Sequence, residues 1–211
     1  MRIHFVFISE GPSDQALVSH LENLCIYAGA NEATGITPDF GRLPAPVGRT
    51  VTAKLQAAMR LEPEANLFFI HRDADSPEYE PRYAEIMDAA TSCCLAKPWV
   101  GVVPVQETEA WLLLDEQAIR RVVGKPRGTV NLALPAAKRV EDVARPKEVL
   151  QQALIYAAQV KGRRLDSLRQ DFSDHRRMLL LNLRIDGPQS QLPSWQRMRE
   201  DITMALKLLD S

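Results

Sequence analysis

The sequence predicts an α/β protein built on a Rossmann-like parallel sheet flanked by helices, with a mostly helical C-terminal appendage. Three observations carry that expectation. Ile3 to Ile8, Leu67 to Ile70 and Trp99 to Val105 are short, nearly unbroken apolar runs, as expected of strands buried on both faces. Helical spacing of apolar residues fills the segments between them, and strands alternating with helices form parallel sheets joined by right-handed crossovers. From about Glu116 the strand signals cease, and Pro135, Pro146, Gly162, Pro188 and Pro193 divide mostly helical segments. The expected organisation is therefore an α/β domain over residues 1–115 and a helical region over residues 116–211 packed on it. A chain of 211 residues, 45% hydrophobic and 25% charged, is long enough to bury a sizeable core in that form.

Taken in order, Ile3 to Ile8 reads as a central strand, and Ser9-Glu10-Gly11-Pro12-Ser13-Asp14 supplies a turn and the start of a helix carrying Leu17, Leu21 and Leu24. A Gly- and Pro-rich stretch from Ala28 to Gly48 follows, with a short strand expected near Ile36 to Phe40 and a helix from about Thr50 to Leu61. The strand Leu67 to Ile70 ends in His71-Arg72-Asp73-Ala74-Asp75, and Tyr79 to Ser92 reads as a helix. A third strand, Trp99 to Val105, leads into a helix from Glu107 to Asp115 that carries Trp111, read as core. Lys147 to Val160 and Trp195 to Leu209 read as the main C-terminal helices, and Met178 to Leu181 as core.

Several function classes are excluded. No apolar run approaches the roughly 18 to 20 residues of a membrane helix, and Glu10-Gly11-Pro12 interrupts the stretch after Arg2 before a signal-peptide h-region forms. Three cysteines, two of them adjacent, make no disulfide framework, so a reducing cytoplasm is expected. His4, His20, His71 and His175 are scattered singly, which argues against structural zinc. Net charge is near zero, yet residues 1–115 hold 8 basic and 16 acidic side chains, against 18 and 11 in residues 116–211. An acidic first half suits metal-binding carboxylates and a basic second half suits a polyanion; a docking surface between the halves explains the asymmetry equally well.

Six acids are placed where this topology makes a site. Glu10 and Asp14, Asp73 and Asp75, and Glu107 and Glu109 each follow an apolar strand, and ligands of open parallel sheets bind outside the carboxyl ends of the strands. Converging carboxylates repel unless protons or a divalent cation neutralise them, and oxygen-only donors suit Mg²⁺ or Mn²⁺. Asp73 and Asp75 align on one side of an extended segment, and Glu10 and Asp14 face together where a helix starts at Ser13. Glu107 and Glu109 also align if the strand persists, whereas in a helix they point about 200° apart, leaving one of them, Glu109 for preference, to reach the site. The competing reading is that each acid caps or starts its own helix. Arg72 is placed to contact a phosphate or to pair with a neighbouring acid. Lys161, Arg163 and Arg164, with Arg176 and Arg177, form the basic clusters best suited to a nucleic-acid backbone, or else solvated helix faces.

Glu10-Gly11 with Asp14 after the first strand, followed by a strand ending in Asp73-Ala74-Asp75, resembles the TOPRIM domain of type IA and II topoisomerases, primases and OLD-type nucleases. More closely, Ile8 to Asp14, His71 to Asp75, Val103 to Asp115 and Arg145 to Leu150 resemble the RloG-type family of TOPRIM-like bacterial proteins, over residues 3 to about 155. The resemblance implies a TOPRIM-like fold, with Glu10 in acid/base work or metal binding, Asp73 and Asp75 holding Mg²⁺, and Asp14 and Glu109 as secondary ligands. It implies a metal-dependent nuclease of DNA, RNA or tRNA in anti-phage defence, alongside an ABC-type ATPase. The chain itself carries no G-x(4)-G-K-[ST] motif and no evident tyrosine nucleophile among Tyr27, Tyr79, Tyr83 and Tyr156, which argues against topoisomerase and primase activity. A non-catalytic TOPRIM-like subunit docking on an ATPase is the alternative, and a small-phosphoester hydrolase or phosphotransferase the third reading. The frequency of twofold assembly makes a homodimer the default expectation.

Overall fold

The computed structural model describes residues 1–210. Four parallel strands, β1 (Arg2–Ile8), β2 (Glu32–Ile36), β3 (Leu67–His71) and β4 (Trp99–Val102), form one sheet in the order β2-β1-β3-β4. The connections are α1 (Val18–Tyr27), α2 (Val51–Leu61) and α3 (Glu80–Ser92). After β4 come α4 (Glu109–Leu112), α5 (Glu116–Val122), α6 (Pro146–Ala158), α7 (Arg163–Gln170), α8 (Phe172–Leu181) and α9 (Pro193–Leu209). This is an α/β sheet flanked by helices and compatible with a Rossmann-like fold.

The unbroken apolar runs follow from burial on both faces. On one face Ile3, Phe5 and Phe7 of β1, Leu67 and Phe69 of β3 and Val100 and Val102 of β4 join Leu21 and Leu24 of α1 and the apolar sides of α4 to α6, α8 and α9. On the other, Val6, Ile8, Phe68 and Ile70 meet Val51 and Leu55 of α2 and Ile86 and Ala89 of α3. The period-2 alternation of strand side chains makes this division. Phe5 and Phe69 meet edge to face at 4.8 Å on the first face, as do Trp111 and Trp195 at 4.9 Å. Trp111 Nε1 donates to Ser194 Oγ at 2.9 Å, tying α4 to α9. Residues on both sides of position 115 thus share one buried cluster.

Five local expectations change, the first being the strand expected over Trp99 to Val105, which ends at Val102 rather than Val105. The second strand lies at Glu32–Ile36 rather than near Ile36 to Phe40, because it is a polar edge strand with no apolar run to mark it. The segment after β1 starts as a 3₁₀ stretch, Pro12–Leu17, before turning α-helical at Val18. Only one turn of α-helix, Glu109–Leu112, forms where Glu107 to Asp115 was expected. Within Met178 to Leu181, Leu179 and Leu180 are buried while Met178 and Leu181 are nearly half exposed, since a helix cannot turn four consecutive residues to one side. Among the described residues no helix is long and apolar enough to cross a membrane.

Candidate functional site

The chain leaves β1 toward β2 on one side and reaches β3 on the other, so β1 and β3 flank the topological switch point, where loops diverge and leave a crevice. Glu10 follows β1 and Asp73 follows β3. Beyond β3 and β4 the two loops continue to pair: the N–H groups of Arg72, Ala74 and Asp75 donate to the carbonyls of Val102, Pro104 and Gln106. The Gln106 N–H donates back to Ser76 O. This pairing carries the Glu107 to Glu109 segment beside Asp73.

Glu10 and Asp73 meet across the switch point. The Asp73 N–H donates to Glu10 Oε2 at 3.2 Å, and the Lys54 ammonium of α2 fixes the Glu10 loop by donating to Ser9 O and Glu10 O at 3.0 and 2.8 Å. Asp73 Oδ1 accepts from both the N–H and the hydroxyl of Thr108, at 2.9 and 3.0 Å, while His71 Nε2 lies 3.1 Å from the same hydroxyl. Burial opposes ionisation of Asp73, but His71 and Thr108 outweigh it and hold the carboxyl below its ordinary value of 3.8. Burial likewise opposes the His71 imidazolium, yet Asp73, Asp14 and Glu10 lift this ring above 6.5. The side chains of Glu10 and Asp73 remain 39% and 21% exposed, so a ligand can reach both.

Asp75 does not stand beside Asp73. Its backbone is left-handed, with φ of 54°, which ends the extended alternation, and its carboxylate pairs with Arg82 of α3 at 2.8 Å. Asp14 and Glu109 are buried around Arg176 of α8, whose Nη2 and Nε donate to them at 2.7 Å each and whose Nη1 donates to Ser13 O at 2.8 Å. Arg176, read from sequence as part of a surface basic cluster, is therefore internal. Glu107 accepts the Lys147 N–H at 3.1 Å and so caps the start of α6. Its pKa is raised by burial and by the neighbouring Glu109 and Asp73 charges.

Arg72 sits between Glu10 and Glu85, 3.7 and 3.6 Å away, and its buried Nε has no hydrogen-bond partner among the described residues. Lys161, Arg163, Arg164 and Arg177 are exposed. Arg177 lines a groove of about 600 Å³ beside Pro12 and Ser13 of the β1 loop. Sequence reasoning missed His71, Thr108 and Lys54. His71 and Thr108 were legible only as neighbours of the acids, and nothing marks Lys54 within α2.

Among the described residues no group of three or more His, Cys, Asp or Glu is arranged to hold a metal ion. Glu10 and Asp73, with Glu107 near, instead make an open, oxygen-only set. This suits Mg²⁺ or Mn²⁺, since Mg²⁺ takes one or two carboxylates and keeps waters and substrate phosphate for the remaining positions. Fold and site together define a parallel α/β protein with accessible acidic side chains at its strand switch point. No family model, curated protein or solved structure matches the chain.

Proposed function

We propose that this chain is a TOPRIM-like protein of the RloG type that cleaves nucleic-acid phosphodiesters with Mg²⁺ or Mn²⁺ held by Glu10 and Asp73. The observation that supports this reading is that the Glu10 carboxylate meets the Asp73 backbone N–H across the β1/β3 switch point, with both side chains accessible and Asp73 kept ionised by His71 and Thr108. A bound divalent cation lowers the pKa of its water and polarises phosphoryl oxygens. The chain's own groups do the rest. Glu10 orients a water and takes its proton, Arg72 stands beside it as an ion-pair partner at 3.7 Å, and Thr108 and His71 keep Asp73 from turning away. Exposed Lys161, Arg163, Arg164 and Arg177 are available for the backbone of DNA, RNA or tRNA. A role in anti-phage defence, with an ABC-type ATPase as partner, rests on the sequence resemblance.

A second reading, a non-catalytic TOPRIM-like subunit docking on an ATPase, is favoured by the internal neutralisation of Asp14, Glu109 and Asp75 by arginines. Cleavage assays decide between them, using plasmid, single-stranded DNA and total tRNA with Mn²⁺, with and without a candidate ATPase. Wild type is expected to cut, and Glu10→Gln and Asp73→Asn to lose roughly 10² to 10⁴-fold, as expected for removal of an acid/base or cation-holding group. A folded, cation-binding wild type that cuts none of the three supports the docking subunit.

A further inference from the structure

We infer that the buried Arg176 guanidinium takes the place of a second cation, so that the crevice binds a single divalent cation, on the Glu10 and Asp73 side. This rests on the metal reading above and deepens it. Arg176 is 5% exposed, and its side chain reaches from α8 to two different strand-end loops. Each arm is committed: Nη2 to Asp14 Oδ1, Nε to Glu109 Oε1, and Nη1 to the Ser13 carbonyl. Asp14 is engaged at its other oxygen too, by Ser13 Oγ at 3.3 Å and, more distantly, by His71 Nδ1 at 4.0 Å.

Two carboxylates this deeply buried cannot stay ionised without a countercharge. A guanidinium supplies one that is never lost by deprotonation, in a fork matched to carboxylate geometry. Asp14 is engaged at both oxygens and Glu109 at Oε1, and both are buried, so the guanidinium already occupies the place between them that a cation would take. Glu10 and Asp73 differ in the property that matters, because both stay accessible. A cation bound there therefore works beside a fixed positive charge contributed by the C-terminal helical region.

Calorimetric titration of Mn²⁺ into the full chain tests this. Wild type is expected to bind one equivalent. Arg176→Met strips the countercharge from Asp14 and Glu109 and is expected to bind two, or, where the variant folds only with cation, to show a thermal midpoint that rises with Mn²⁺. The double variant Asp14→Asn/Glu109→Gln, which keeps Arg176 and amide oxygens for it to donate to, is expected to keep the single equivalent at wild-type affinity. It decides the matter where Arg176→Met does not fold. Two equivalents in wild type, no gain in a folded Arg176→Met, or loss of the single equivalent in the double variant overturns the inference and leaves the metal reading standing. No binding by wild type overturns the metal reading and this inference with it.

Discussion

Asp73 is the accessible acid of the crevice that the neighbouring chain orients most directly through a single residue, Thr108. Its Oδ1 takes two bonds from Thr108, and its backbone N–H anchors Glu10. Thr108 is fully buried, so Thr108→Val keeps the shape and removes the hydroxyl shared by Asp73 and His71. The expected cost is about 1 to 3 kcal/mol, read from denaturant midpoints, because buried partners lose a bond. Mn²⁺ affinity is expected to weaken roughly 10 to 100-fold, the usual effect of removing a group that orients a ligand. An unchanged affinity would show that Asp73 is not a ligand or needs no orienting. The positions of the six acids were legible in the sequence, because the strand-end rule is topological. Which acids face one another was not. That depends on the left-handed backbone of Asp75 and on Arg176, which meets Asp14 across 162 residues of chain. Neither leaves a local signal.

At the scale of elements, β1 and β3 were readable from their uninterrupted apolar runs, whereas β2 was not. β2 is an edge strand paired on one side only, and its sequence Glu32 to Ile36 is marked by polar residues and Gly35. Gly35 is there for a reason of space: a Cβ at this position would lie 2.2 Å from Phe5 Cζ and 2.8 Å from Val18 Cγ1. The Gly35 N–H also donates to Glu22 of α1 at 2.9 Å, tying strand to helix. Gly35→Ala should destabilise by about 1 to 3 kcal/mol through overpacking, with a matching fall in the unfolding midpoint. No change in midpoint would mean that β2 slides away from the Phe5 ring at little cost. Helix starts were legible where a side chain caps them, as Thr50 does for α2 by accepting the Ala53 N–H. The start of α6 was legible to within a residue from Pro146, although the side chain that caps it, Glu107, lies 40 residues away.

Over the whole molecule, the helical region is joined to the sheet through a shared core and through buried polar links, of which His20 is one. His20 Nε2 lies 2.6 Å from Leu180 O of α8, and burial lowers its pKa below 6.5, with the Leu180 bond opposing. As pH falls through 6.5 the unfolded chain takes up a proton at His20 that the folded chain does not, so stability falls with pH there. His71 acts with the opposite sign. Its raised pKa gives a contribution that is complete below 6.5 and is lost as pH rises through the higher folded value. His20→Gln is therefore expected to flatten the acid-side decline in thermal midpoint, and an unaltered slope would remove His20 from the account. The charge asymmetry between the two halves was legible from composition, but not its partial use inside the fold, where Arg176 of the basic half neutralises two acids of the acidic half.

The central claim is that the crevice at the β1/β3 switch point holds a divalent cation through Asp73. Mn²⁺ titration of wild type against Asp73→Asn, with both shown to be folded by their unfolding transitions, tests it most directly. Saturable binding by wild type that Asp73→Asn loses is the predicted result. Absence of binding by wild type, or equal binding by both, would contradict it.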